Sequence, residues 1–389
     1  MNTFKNITFG ICKRTRKILS EQNNYLGPLK YDYSKMSTNV SVSALQKEKE
    51  TFQDVLPHII NSLVIEPKLS EVPEMKTWVK TMLDYNLAGG KKNRGLTTVL
   101  AYEMLEKPEN ITEESLRKSR VMGWCVEMLQ AYFLMIDDIM DGSTTRRGVP
   151  CWFRLPEVGL GALNDTIIMY SAMMETLSTH FGDKPHFTRI VNMFNESLKN
   201  TALGQHLDYT MARRKKNDYS LFTIERYNAI VKYKTSYYTF KLPVCLGMIL
   251  ANNTDDKSHK RAEEICLDIG HLFQMQDDFI DCFGSESVTG KAGSDIQEGK
   301  CSWLAVSALQ RCNEAQRNVF TTCYGSKEPA HIERIQRLYE QLGLPDLYRK
   351  EERTRYNAIV QTVRDLPKHT NLSPDLFLTI LDMIYKRKQ

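Results

Sequence analysis

The sequence predicts an all-α fold: a helical bundle with a central cavity between two helices that each end in a DDxxD cluster. Apolar residues recur at three- and four-residue spacings along nearly the whole chain, and strand-type alternation is not evident. Two stretches, 121–140 and 262–280, are apolar on nearly every face, as helices enclosed by other helices are.

Taken in order, helices are expected over 45–65, 70–86, 95–106, 113–140, 160–181, 186–209, 221–251, 257–282, 300–323, 330–342, 347–365 and 373–387. The breaks between them fall at Gly, Pro, Asn or Asp, which favour turns. No solenoid repeat or low-complexity segment interrupts the series, so one domain spanning 37–389 is expected, built around the two enclosed helices.

The chain has 389 residues, 42% hydrophobic and 25% charged, which is the composition of a globular protein. Its most apolar segment, Val121 to Met140, is interrupted by Glu127, Gln130, Asp137 and Asp138, so no membrane span is expected. The nine cysteines are scattered singly from Cys12 to Cys323, which argues against a disulfide framework or a structural zinc site and for a reducing compartment. Residues 1–36 carry seven Lys or Arg against Glu21 and Asp32, and so account for the whole net charge of +5. The remaining body is near neutral, which removes the case for a nucleic-acid surface. The basic leader 1–36, with no acid before Glu21, has the character of a mitochondrial transit peptide, and Met36 offers a second start for a cytoplasmic form.

Asp137-Asp138-Ile139-Met140-Asp141 closes the first enclosed helix and Asp277-Asp278-Phe279-Ile280-Asp281 closes the second. Residues four apart share a helix face, where like charges repel, and an apolar surround makes the repulsion worse. A solvated acidic helix end would explain one such cluster; two copies on the two most enclosed helices point to bound cations. Oxygen ligands with room for water suit Mg²⁺. Carboxylates with Mg²⁺ make a good site for a diphosphate, provided side-chain cations hold its remaining charge. Arg146, Arg147, Lys234 with Thr235, and Lys291 are available. In Gly89-Gly90-Lys91-Lys92-Asn93-Arg94-Gly95, two glycines allow close backbone approach beside Lys91 and Arg94 at a helix start, so this loop is a candidate for a second diphosphate. Gln130, Phe133, Asp137 and Asp141 form one helical stripe. A hydrocarbon tail anchored at Asp137 would run toward Tyr132 and Phe133, though plain core aromatics account for the same spacing equally well.

With these residues in view, the chain from about 44 onward resembles the farnesyl diphosphate synthases, most specifically in FLMIDDIMDGSTTRRG and FQMQDDFIDCFGSESVTGKAGSDIQEGKCSW. The resemblance implies an isoprenoid synthase fold, usually homodimeric. It also implies three Mg²⁺ ions between the clusters, with Mn²⁺ or Co²⁺ able to substitute. Matched position by position, Asp137, Asp138, Asp141 and Asp277 correspond to metal ligands, and Arg146, Gln205, Lys234, Asp278 and Lys291 to groups around an allylic diphosphate. Thr235 and Gln274 correspond to cavity residues that steady the reacting carbons. Gly90, Lys91, Arg94, Gln130, Arg147, Tyr238, Phe240 and Arg387 correspond to the isopentenyl diphosphate site, and Tyr132 and Phe133 to the pair that sets product length.

The implied activity condenses isopentenyl diphosphate with dimethylallyl or geranyl diphosphate to give farnesyl diphosphate. A terpene synthase of the same fold would need only one diphosphate site, and a non-catalytic regulatory subunit would need none of the aspartates. Lys241, Ala292, Gly142 and the terminal Gln389 depart from the family pattern, and an altered product length or cavity is the expectation they raise.

Overall fold

The computed structural model describes residues 42–65, 71–212, 218–284, 293–367 and 370–385. The leader, Lys291, Ala292, Arg387 and Gln389 lie outside the described residues. The helices are α1 (Val42–Leu63), α2 (Pro73–Leu87), α3 (Asn93–Leu105), α4 (Glu113–Asp141), α5 (Ala162–Phe181), α6 (Phe187–Ala212), α7 (Ile224–Ile230), α8 (Leu242–Leu250) and α9 (Asp256–Phe283). They continue with α10 (Asp295–Glu298), α11 (Trp303–Leu309), α12 (Glu314–Cys323), α13 (Pro329–Gln341), α14 (Leu344–Arg364) and α15 (Pro374–Tyr385). A two-residue hairpin, β1 (Thr145–Arg146) with β2 (Val149–Pro150), follows α4 and was not foreshadowed by any alternation.

Local chemistry sets the ends of the long helices. Thr112 and Ser115 cap α4 reciprocally, each side-chain oxygen accepting the other's backbone N–H, and Asp255 accepts the Ser258 N–H at the start of α9. The expected helix over 300–323 is two, because Asn313 and Gln316 form a second capping box that starts α12 afresh.

Val121 to Leu129 of α4 are all buried, as expected. By contrast α9 exposes Glu264 and Asp268, so it lies in the bundle wall with one edge at solvent. The third enclosed element is α8, whose residues Leu242 to Ile249 are all buried. Leu242, Leu246 and Ile249 join the apolar cluster around α4, and Val244, Cys245 and Met248 join the cluster around α9, so one short helix ties both halves of the core together.

Between α7 and α8, residues Val231–Lys241 form a π-helix inside what the periodicity predicts as one uninterrupted helix over 221–251. Pro243 has no N–H to donate and its ring needs room against the preceding turn, which the wider π-turn supplies. This segment is wedged between α6 and α9. A Cβ on Gly204 of α6 would stand 2.1 Å from the Lys234 backbone nitrogen, and one on Gly270 of α9 would stand 2.3 Å from Ser236 Oγ. Both glycines therefore permit helix contacts that any other residue would push apart. Gly204→Ala should lose about 2 kcal/mol or more in denaturant unfolding. Gly161→Ala, at a position with open space, should change stability by less than about 0.5 kcal/mol. Equal stability of the two variants would contradict this packing.

Candidate active site

The last turn of α4 carries the first aspartate cluster, and Gly142, in the left-handed region at φ 66°, stops the helix there. This places a functional reason beside one family departure, since only a residue tolerant of positive φ ends the helix at that point. The hairpin then doubles back through Arg147 and Gly148, both at positive φ, so that Arg146 returns onto the cluster it follows. Arg146 Nη2 lies 2.5 Å from Asp138 Oδ1 and 3.6 Å from Asp137 Oδ2. Asp138 is thereby buried and paired within its own strand-turn unit.

Asp137 is met from two other directions: Gln205 Nε2 of α6 donates at 2.7 Å and Lys234 Nζ of the π-helix stands at 3.4 Å; Lys234 in turn bonds Asp208 Oδ2 at 2.5 Å. Lys300, in the loop before α11, reaches Asp141 at 3.5 Å and Glu298 at 2.9 Å. Burial works to raise the Asp137 carboxyl, but Lys234, Lys300 and Arg146 outweigh it and hold the group below its ordinary value. At Asp141 burial prevails over Lys300 and the carboxyl is raised. Burial opposes charge on both lysines too, yet Asp208 with Asp137 raises Lys234, and Asp295, Asp208, Glu298 and Asp141 raise Lys300.

The second cluster differs from the first. Asp278 is buried, accepts the Trp303 N–H at 2.7 Å and the Gln274 amide at 2.9 Å, and burial lifts it to about 7. Asp281 accepts the backbone N–H groups of Ser294 and Asp295, both at 2.9 Å, at the start of α10. Asp278 and Asp281 thus also hold the chain that follows them. Asp277 is half-buried one turn before Asp281. Thr235 Oγ1 donates to Gln274 Oε1 at 2.8 Å, so Thr235, Gln274, Asp278 and the α11 backbone form one hydrogen-bonded line across the cavity wall.

On the other side of the hairpin, Arg147 donates to the Ala88 carbonyl at 2.9 Å and lies so close to Gly90 that a Cβ there would meet its guanidinium at 2.8 Å. Arg94 stacks over the Tyr238 ring at 4.5 Å and bonds the Tyr238 hydroxyl and Thr239 Oγ1, each at 2.9 Å. Lys91 is exposed on the loop and Gln130 is half-buried on α4. The structure thus brings Gly90, Arg94, Arg147 and Tyr238 together. Phe240, in contrast, is 4% exposed and packs edge-on against Phe273 at 5.4 Å, as a core residue behind this site.

Tyr132 and Phe133 are half-buried one turn below Asp137 in a ring cluster with Tyr170 and Tyr238, the centroids 5.2 to 6.0 Å apart. Lys241 does not enter it. Its ammonium bonds Glu196 at 2.8 and 2.9 Å and Glu263 at 2.9 Å, which raises it against the effect of burial and spends its charge on the α6–α9 seam.

Lys300 and Asp208 were missed by sequence reasoning. Lys300 stands within DIQEGKCSW, already singled out, but nothing in its spacing says that α10 turns it back toward Asp141; Asp208 has no motif around it. Among the described residues no three carboxylate, His or Cys side chains converge to enclose a cation by themselves. Lys234, Lys300 and Arg146 would face one phosphate.

A family model described as polyprenyl synthetase matches residues 76–342. The farnesyl pyrophosphate synthase of Murgantia histrionica is 43% identical over 343 residues, covering 88% of this chain and 83% of that protein. Farnesyl pyrophosphate synthase 1, mitochondrial, of Arabidopsis thaliana is 38% identical, covering 88% of each. The crystal structure of T. brucei farnesyl diphosphate synthase superposes with a TM-score of 0.79 at 34% identity, covering 88% of this chain and 99% of that one.

Lys300→Ala should weaken binding of inorganic pyrophosphate, measured by calorimetry with Mg²⁺ present, by about tenfold or more, since one charge-assisted contact to an anion is worth about 1.5–3 kcal/mol. Unchanged affinity in a folded variant would remove Lys300 from the anion site.

Proposed function

This chain belongs to the polyprenyl synthetase family, and on that premise we propose that it condenses isopentenyl diphosphate with dimethylallyl and then geranyl diphosphate, releasing farnesyl diphosphate. The observation that supports this reading is that two basic clusters meet at one hairpin, Arg146 belonging to one and Arg147 to the other. A terpene synthase has use for the first alone.

The allylic diphosphate would lie against Arg146, Lys234 and Lys300, with Asp137, Asp141 and Asp277 holding Mg²⁺, three ions in all. Mg²⁺ held there would supply neutralisation of the charge that develops on the departing diphosphate. Lys234 and Lys300, kept cationic by their carboxylate neighbours, supply the same service from the protein side. The bond between the allylic carbon and the diphosphate oxygen breaks, and both bonding electrons leave with the diphosphate. The double bond of isopentenyl diphosphate then forms the new carbon–carbon bond, and a proton is lost from the adjacent carbon to restore the alkene. The released diphosphate takes that proton. Thr235 donates to Gln274 Oε1, which fixes the two side chains against each other, and the hydroxyl and amide oxygens would steady the cationic carbon.

Several further features belong to the same reading. Leu160, in the turn before α5, and Leu163 and Ile167 in its first turns, 50–72% exposed, support a homodimer, which sedimentation equilibrium tests; a monomer at micromolar concentration would refute it. The basic leader supports delivery to the mitochondrion, which expression of residues 1–36 fused to a fluorescent protein tests; diffuse cytoplasmic signal would refute it.

Protein lacking residues 1–36, given Mg²⁺ with isopentenyl and dimethylallyl diphosphates, should yield farnesyl diphosphate, and given farnesyl diphosphate alone should yield nothing. A hydrocarbon from the second mixture would establish the terpene synthase instead. In the same assay Phe133→Ala should shift product toward geranylgeranyl diphosphate by opening the ring cluster below Asp137, and an unchanged profile would mean that these rings are plain core.

A further inference from the structure

We infer that Lys92 is a positioning residue for isopentenyl diphosphate: its ammonium, folded beneath the Gly89–Arg94 loop, fixes that loop and places positive charge under the diphosphate, so affinity for this substrate, and not for the allylic one, depends on that charge. The inference rests on the loop being the isopentenyl diphosphate site.

Lys91 and Lys92 are neighbours with opposite fates. Lys91 is exposed on the loop, whereas Lys92 is 4% exposed and takes the left-handed conformation at φ 56°, ψ 27°, which a residue with a side chain adopts only at some cost. That twist sends its chain inward. Lys92 Nζ donates to the Leu87 carbonyl at 2.5 Å and stands 5.1 Å from the Trp124 ring centroid. Arg147 takes the next carbonyl, Ala88. Two cations thus close the last carbonyls of α2, the negative end of that helix, and between them hold the turn from which Gly89, Gly90 and Lys91 project. Glu127 of α4 completes the support by accepting the Gly95 N–H at 2.9 Å.

A buried ammonium that makes one bond to a neutral carbonyl is costly to keep charged. Burial lowers Lys92 to about 8; Glu127 opposes the shift, while Arg147 from the hairpin and Lys49 from α1 add to it. These are the charged groups that face it. A diphosphate on the loop would bring negative charge close to the ammonium and favour its protonated form, so binding and protonation are linked. Above pH 8 the free protein loses the charge and must regain it to bind well. Below pH 8 the charge is already present. Lys234, Lys300 and Arg146, which face the other diphosphate, are all raised, so that site has no such transition in this range.

The test is the pH dependence of KM for each substrate in the Mg²⁺-loaded enzyme, the other substrate being saturating. In wild-type protein KM for isopentenyl diphosphate should rise by up to about tenfold between pH 7.5 and 9, following the fraction of Lys92 protonated, while KM for dimethylallyl diphosphate shows no such rise. Lys92→Met should raise the isopentenyl KM at pH 7.5 and flatten its pH profile, with kcat changed less than KM. Lys92→Arg, charged throughout, should keep KM low at both pH values. A flat wild-type profile, or equal rises for both substrates, overturns the proposal even if neither variant folds. Failure to consume isopentenyl diphosphate at any pH would instead overturn the function on which it rests.

Discussion

Charge compensation at the mouth of the bundle is the constraint on which the site depends. Burial works against the charged form of Asp137, Lys234 and Lys300, and their neighbours outweigh it, whereas at Asp141 burial prevails. The partners come from separate parts of the chain: α4, α6 through Asp208, the π-helix, and the loop after α10. A buried ion cluster of this kind is weak as a source of stability, since desolvation offsets most of its attraction. Its value is positional. It leaves cations and carboxylates together in a place that water alone would not stabilise.

Such an arrangement needs backbones closer than ordinary helix packing allows. Gly204 and Gly270 let the π-helix sit between α6 and α9, which brings Lys234 to Asp208 on one side and Thr235 to Gln274 on the other. The wide turn does more than accommodate Pro243. It places Lys234, Thr235 and Tyr238 toward three different neighbours within five residues: the first cluster, the second cluster, and Arg94 of the basic loop. The hairpin after α4 works in a similar way, with Arg146 and Arg147, adjacent in sequence, turned onto different sites by a positive-φ turn.

The two aspartate clusters look alike in sequence and serve differently in space. The first keeps Asp137 and Asp141 toward cations, while in the second Asp278 and Asp281 are occupied by the amides of Trp303, Ser294 and Asp295. Those bonds lead the chain from α9 to Lys300. The second cluster thus organises the loop that returns a cation to the first, and identical DDxxD patterns end in unlike surroundings.

Sequence alone was enough for the all-α class, for most helix spans, for both aspartate clusters and for the basic residues beside them, because periodicity and local motifs are properties of consecutive residues. It located Phe133 one turn below Asp137 for the same reason. What it could not contain were relations between distant segments. The solvent edge of α9 and the enclosure of α8, the burial of Phe240 and of Lys92, the diversion of Lys241 to Glu196 and Glu263, and the joining of Lys300 and Asp208 to the site all depend on which helices become neighbours. A side chain's charge and reach are written in its identity, but its desolvation, and hence its chemistry, is decided only when packing chooses what surrounds it.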